Sequence, residues 1–431
     1  MSSGTKKMPL HIKIFLALFL GIVFGYILNF MGGVHQPVIN SHILPFLQFM
    51  GDLFLKSIKM VVVPLVFFSI VDAALSLGDI RKLKSIGLKT VGFFLGSSAV
   101  AATIGLVYAN LIQPGKGVHL SGQAAKVNVR ELPGVYKTIL DLIPDNPFQS
   151  LTNGDMMPVI VFALLMGFAI IKLGDKAKIL SEVMHALSMV MFSIINIVIA
   201  LIPYGVFGLM AVAMARYGTA IFGPVLKFIL TDYLSQATMV VVVYSIFLTC
   251  IAKVSPLKFW KKAIQPYIIA FSTCTSSAAL PVSMDVAPRK LGVPSDISNF
   301  VLPLGATANM NGTCIYFGII VIFASQLYGI DLSLQQQILL VIQATFLSVG
   351  CAATPQIGLI ISVTLLTQMG LPLEATALVA GVYRIIDQAH TATNSSGDLV
   401  TSVCIAALEG ELDRDAFNNP SQGIDNQSMT A

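Results

Sequence analysis

The residues best equipped for chemistry lie near the end of the chain: Tyr383-Arg384-Ile385-Ile386-Asp387-Gln388-Ala389-His390-Thr391-Ala392-Thr393-Asn394-Ser395-Ser396-Gly397-Asp398. On a helix, at about 100° per residue, Asp387, Thr391, Asn394 and Asp398 fall within about 60° of arc, with Arg384 and His390 on its two flanks. One narrow face thus carries two carboxylates, an amide, a hydroxyl and two potential cations. Ionisable groups in an apolar helix are costly unless they face a cavity or one another. The stripe is therefore either a self-satisfied network, with Arg384 paired to Asp387 at i, i+3, or a binding surface. As a binding surface, one carboxylate suits an ammonium group and the other a cation. Asn394 can donate and accept between them. The spacing predicts a helix from near Leu373 to near Leu408.

Three other segments place polar residues inside apolar sequence. Ser272-Thr273-Cys274-Thr275-Ser276-Ser277-Ala278-Ala279-Leu280-Pro281 is one, and Ser348-Val349-Gly350-Cys351-Ala352-Ala353-Thr354-Pro355-Gln356 is a second. Asn309-Met310-Asn311-Gly312-Thr313 lies between them, expected inside an otherwise apolar helix. Non-helical backbone at membrane depth is tolerated where it is buried in protein or lines a wet cavity. Two such interruptions in related positions point to a binding site at a repeat interface. The shared pattern Ala278-Ala279-Leu280-Pro281 and Ala352-Ala353-Thr354-Pro355 fits an internal repeat. The alternative is a pair of kinked helices packed through small residues. Broken-helix carbonyls offer hard oxygens for a sodium-sized ion, and helix N-termini suit an anionic group.

The elements that position these residues must be membrane helices. Of 431 residues, 55% are hydrophobic and 11% charged, and the mean hydropathy is +0.82. Soluble domains carry roughly 25% charged residues, so this surface is solvated by lipid. Residues 12–30, 91–112, 157–171, 239–251 and 315–325 are nearly free of charge, and several approach the ~20 residues that cross a bilayer as a helix. Period-2 alternation is not dominant, which argues against a barrel. The first run is too long for a signal peptide, lacks a cleavage site and precedes further spans.

Lys6, Lys7 and Lys13, then Arg81, Lys82, Lys84 and Lys89, then Lys172, Lys176 and Lys178, then Lys253, Lys258, Lys261 and Lys262 mark cytoplasmic ends. The net charge of +5 follows from that topology and predicts no nucleic-acid partner. Residues 113–155 are polar and Gly/Pro-rich, as expected of an external connection with short helical pieces. Cys250, Cys274, Cys314, Cys351 and Cys404 have no metal-type spacing and read as thiols. Asp285 is expected to cap or to face solvent. No nucleophile–base pair supports an enzyme: Ser276 with His390 is conceivable, but no oxyanion-hole motif accompanies it.

These motifs resemble the dicarboxylate/amino acid:cation symporter family over residues of about 8 to 410. The resemblance rests on the serine-rich tip at 273–281, on Asn309-Met310-Asn311-Gly312-Thr313, on Pro355-Gln356-Ile357-Gly358, and on Asp387, Thr391, Asn394 and Gly397-Asp398. It implies an all-α integral membrane fold with eight transmembrane helices, two re-entrant hairpins and inverted repeats. Residues 8–75 (spans one and two) and 114–221 (spans four and five) would form a trimeric scaffold. Residues 86–113 (span three) and 222–410 would form a mobile transport domain moving like an elevator. Within 222–410 lie span six, hairpin one at about 258–292, span seven, hairpin two at about 334–370 as the gate, and span eight. Residues 411–431 would be a cytoplasmic tail.

The resemblance also implies residue roles. Asp387 binds the substrate ammonium. Asn394 and backbone near Thr275 and Ser276 bind its carboxylate. Thr313 and Thr391 line the side-chain end, beside His390, and Thr354 and Gly358 come from the hairpin-two tip. Gly305, Asn309, Asn394 and Asp398 form one sodium site. Thr307, Ser348, Val349 and Cys351 contribute to another. Two departures matter. The arginine that acidic-amino-acid carriers use is His390 on the last helix and Cys274 in hairpin one. The aspartate of a third, deep sodium site is Asn311, beside Phe94, Ser97 and Ser98. The expectation is a sodium-driven symporter for a neutral polar or small amino acid, with fewer sodium ions per cycle. It would be a homotrimer embedded in the lipid of the cell inner membrane, with both termini cytoplasmic. The alternative is glutamate or aspartate transport with protonated His390 in the arginine's place, possibly proton-coupled; a histidine ordinarily changes charge near pH 6.5.

Overall fold

The structure is a computed structural model that describes residues 10–76, 80–117, 140, 143–349, 351 and 356–418. All regular structure among these is helical. Helices α1 (Leu10–Phe30), α2 (Leu44–Ser76) and α3 (Ile80–Ile112) come first. Then follow α4 (Met156–Leu173), α5 (Lys178–Ile199), α6 (Ile202–Tyr217) and α7 (Phe222–Thr238). The rest are α8 (Pro256–Thr273), α9 (Ser276–Leu291), α10 (Ser295–Ala308), α11 (Asn311–Leu327), α12 (Leu334–Val349), α13 (Ile357–Gln368) and α14 (Tyr383–Glu409).

Among the described residues, six segments are long and apolar enough to cross a membrane: 12–30, 39–72, 86–112, 158–191, 202–252 and 295–327. At 1.5 Å per residue, the 51 residues of 202–252 far exceed one crossing of a ~30 Å hydrocarbon core. That stretch indeed holds two helices, α6 and α7. The polar α14 passes no such apolarity test, although every residue from Ala389 to Ala406 is buried. It is stable because α8 to α11 surround it, as a polar helix in an apolar protein requires.

The outer helices show the opposite pattern. Phe19, Phe30, Ile179, Ile197, Leu230 and Leu257 are exposed, a surface suited to lipid or to another apolar face. Small residues let backbones approach closely, as expected where helices pack without a hydrophobic drive between them. A Cβ on Gly25 of α1 would overlap Ala211 of α6, and one on Gly105 of α3 would overlap the Ile315 carbonyl of α11.

Two expected helices are broken. The helix expected from Leu373 is divided into Glu374–Ala380 and α14, with Val382 at φ −99°, ψ −2°. Gly381 lies at this joint, packed against the side chain of Leu18 of α1. The helix expected to run through Asn309–Thr313 ends at Ala308 and restarts at Asn311. Asn309 (ψ 76°) and Met310 (ψ 57°) are non-helical. After Thr238, the chain continues through π turns at Met239–Val243 and Leu248–Ala252 with Tyr244–Phe247 between them. Most of the expected external connection, and Gly350, Ala352, Ala353, Thr354 and Pro355 at the second interruption, lie outside the described residues. All five cysteines are free thiols. Asp285 forms an ion pair with Arg289 one turn on.

Candidate functional site

Three chain breaks converge on α14. The first is the turn between α8 and α9, where Cys274 has φ +55° and Thr275 is extended. Ser276, buried, opens α9, so the positive end of that helix lies at this turn. The second is the Asn309–Met310 break. The third precedes α13, where Gln356 is buried in a left-handed conformation at φ +67°.

Asp387 faces the third break. Its Oδ2 accepts the Gln356 backbone N–H at 3.0 Å, so the carboxylate is anchored to the tip preceding α13. It is not paired with Arg384. The Arg384 guanidinium instead donates to the carbonyls of Ser272 (3.5 Å) and Thr273 (3.3 Å), the negative end of α8. The self-satisfied Arg384–Asp387 pair is thus replaced by an inter-helix contact, in which one guanidinium nitrogen donates to two carbonyls at the end of α8.

Asn394 faces the middle break. Its Oδ1 accepts the Gly312 N–H at 2.7 Å, and its Nδ2 reaches the Met310 sulfur (3.1 Å) and the Thr313 hydroxyl (3.4 Å). One turn on, Asp398 accepts from the Asn309 amide at 3.0 Å. Gly305 backs directly onto the Asp398 carboxylate, where a Cβ would overlap it. The C-terminal carbonyls of α10 lie at the same break, and the last carbonyls of any helix lack intrahelical partners. Gly305, Asn309 and Asp398 are therefore gathered at one oxygen-rich, buried point, with Asn394 one turn back at the same break.

Next to it, Asn311 is hydrogen-bonded at both ends of its amide. Its Oδ1 accepts from Ser97 (3.2 Å) and Ser98 (3.1 Å), and its Nδ2 donates to the Tyr244 hydroxyl at 3.0 Å. Tyr244 donates in turn to the Thr393 carbonyl at 2.9 Å. Phe94 is buried nearby and its carbonyl accepts from Ser97.

His390 does not stand free at the side-chain end. Its Nε2 lies 2.9 Å from Asp232 Oδ1 on α7, with both side chains essentially inaccessible. Tyr316 and Tyr383 pack on the imidazole at centroid distances of 5.3 and 5.8 Å. Tyr383 also reaches Gly358, where a Cβ would overlap its hydroxyl, and the Thr313 methyl lies on the same side. Thr391 is buried on the same helix.

The other set is less gathered. Ser348 and Cys351 are buried, and Val349 half-buried, but Thr307 is exposed and its hydroxyl donates to Leu304. Ser348 donates to the Thr345 carbonyl at 2.7 Å, and the Cys351 thiol to that of Leu347 at 3.5 Å. Thr354 lies outside the described residues.

Sequence inspection passed over Asp232, Gln236 and Tyr244, all within the apolar segment 202–252. Gln236 donates to the Gly312 carbonyl at 2.9 Å. The signal was present: Asp232 is a carboxylate in a membrane-type helix, which by itself marks a functional candidate.

The sodium:dicarboxylate symporter family matches residues 10–408. A proton/sodium-glutamate symport protein of Bacillus caldotenax is 32% identical over 421 residues, covering 95% of this chain and 97% of its own. A proton/glutamate-aspartate symporter of Escherichia coli (strain K12) is 34% identical over 423 residues, covering 95% and 94%. A C4-dicarboxylate transport protein of Azorhizobium caulinodans is 31% identical over 422 residues, covering 94% and 90%. With a match over nearly its whole length and a polar, buried α14 at its centre, this chain belongs to the sodium:dicarboxylate symporter family: it is a multi-pass membrane transporter, not an enzyme.

Proposed function

We propose that the protein is a sodium-driven symporter for a neutral amino acid with a small or polar side chain. The observation that carries the substrate class is the 2.9 Å contact between His390 and Asp232. An acidic side chain needs a net positive partner in a buried site, because an unpaired buried carboxylate is strongly penalised. His390 is matched by Asp232, and the Arg384 guanidinium, still a cation, is held at the carbonyls that end α8. Asp387 supplies the carboxylate for the substrate ammonium. Asn394 and the amides at Thr275–Ser276 supply the donors for its carboxylate. Tyr383, Gly358, Thr313 and Thr391 form a close, uncharged side-chain end.

Sodium binds at Gly305, Asn309, Asn394 and Asp398, and more weakly at Thr307, Ser348, Val349 and Cys351. The eight-span arrangement, α8–α9 and α12–α13 as re-entrant hairpins, the trimeric scaffold, elevator motion and placement in the inner membrane with cytoplasmic termini complete this proposal. They are supported by the family match and by the distribution of Lys and Arg.

Uptake of labelled amino acids by the purified protein in liposomes tests the substrate class, first under an inward sodium gradient, then under an inward proton gradient. Serine-like substrates moving with sodium is the expected result. Aspartate or glutamate moving best, as the names of the relatives favour, would overturn it.

The deep site is proposed to be weakened or absent, because a neutral Asn311 amide, already bonded to Ser97, Ser98 and Tyr244, stands where the carboxylate would be. Asn311→Asp puts an anion there without its cation. The sodium dependence of uptake should steepen by about one ion, provided that the hydroxyls of Ser97, Ser98 and Tyr244 can turn towards it. An unchanged Hill slope with retained uptake would argue against the neutral-plug account.

A further inference from the structure

We infer that Asp232 is a specificity-determining residue, which holds His390 and cancels its charge so that the side-chain end of the substrate site stays neutral. The inference deepens the proposed neutral-amino-acid reading and rests on it.

The argument is one of charge and placement. Asp232 Oδ1 and His390 Nε2 share one proton across 2.9 Å. With an imidazolium facing the carboxylate the pair is neutral, and with a neutral imidazole it carries −1; in neither state does it offer a substrate a net positive charge. Its members come from different elements: Asp232 from α7 and His390 from α14. Among the described residues, no second cation is in contact with the pair. From α11 the imidazole meets the neutral Tyr316, and from α14 itself Tyr383. Asp387, one turn before His390, is an anion committed to the Gln356 N–H. Arg384, a further turn back, points to α8, and Tyr233, next to Asp232, donates to the Ile385 carbonyl at 2.7 Å.

Buried ion pairs are weak stabilisers, so stability alone gives little reason for a buried carboxylate and a buried imidazole to meet beside the substrate site.

An acidic substrate brings one negative charge more than a neutral one. With Asp232 present, compensation requires a further proton on a carboxylate that already faces an imidazole. With Asp232→Asn, the substrate's own side-chain carboxylate can take the place of Asp232 as the counter-anion of a protonated imidazole. Asp232 thus acts on the substrate through His390 and touches none of the proposed substrate groups directly.

The test compares uptake of labelled aspartate with that of labelled serine in liposomes at about pH 5.5 and about pH 7.5, values on either side of ordinary histidine titration. Wild type should favour serine at both. Asp232→Asn should raise the aspartate-to-serine ratio at least ~10-fold, about 1.4 kcal/mol, with most of the gain at the lower pH. Asp232→Asn combined with His390→Gln should remove that gain. A second pair of variants guards against misfolding of the first: His390→Arg should leave the ratio low, since Asp232 still neutralises the guanidinium. His390→Arg with Asp232→Asn should raise it at both pH values.

If serine uptake persists and neither Asp232→Asn variant changes the ratio, the role of Asp232 is overturned while the symporter proposal stands. If wild type itself prefers aspartate at both pH values, the neutral-substrate proposal and this inference both fall.

Discussion

Replacing Asp387 by Asn lowers serine-type uptake at least ~100-fold at subsaturating substrate. The expected size follows from leaving a buried ammonium without its carboxylate, a loss of about 3–5 kcal/mol in comparable buried pairs, at 1.4 kcal/mol per decade. Asn is the informative choice because its carbonyl still accepts the Gln356 N–H, now at 3.0 Å. The tip before α13 keeps its anchor and the charge alone is removed. Alanine would lose both and confuse ammonium recognition with gate closure. The same variant should discriminate far less between serine and an analogue with a hydroxyl in place of the amine. Competition by the two compounds reads this directly. Retained preference for the amine in Asp387→Asn would show that the ammonium is recognised elsewhere.

The second large effect belongs to Asp398. Asp398→Asn should raise the half-saturating sodium concentration by at least roughly 30-fold, because a buried charge partner is worth about 2–5 kcal/mol. Asp398 is the anion at the Asn309–Met310 break, and Asn309 at 3.0 Å positions it. Gly305→Ala offers an independent check at full charge. Its Cβ would displace the carboxylate itself, so sodium affinity should fall although no ligand is removed. The measurement is uptake against sodium concentration at fixed substrate. Saturation at wild-type sodium levels in Asp398→Asn would remove this residue from the ion site.

The polar face of α14 was legible in the sequence because helical periodicity is local: Asp387, Thr391, Asn394 and Asp398 are separated by three or four residues. The interruptions near Cys274 and Asn309 were legible as small and polar residues where an apolar run should continue. How each broke the chain was not. Asn309 and Met310 leave helical backbone entirely, because the amides and carboxylates of α14 provide partners that a continuous helix would not. The joint at Gly381 packs against Leu18, some 360 residues away in sequence, and no local pattern encodes that contact.

His390 shows the division most clearly. By itself, the sequence determined that an imidazole stands one turn after Asp387, that no arginine follows it within α14, and that the chain is a membrane transporter of one family. Tertiary structure alone decided whether that imidazole is a free cation. Asp232 lies 158 residues earlier, on a helix whose register follows from its packing against α3, α11 and α14. Periodicity places residues on a face because backbone geometry repeats every few residues. Charge in a buried site is a sum over every element that reaches it, and that sum exists only once the helices have packed.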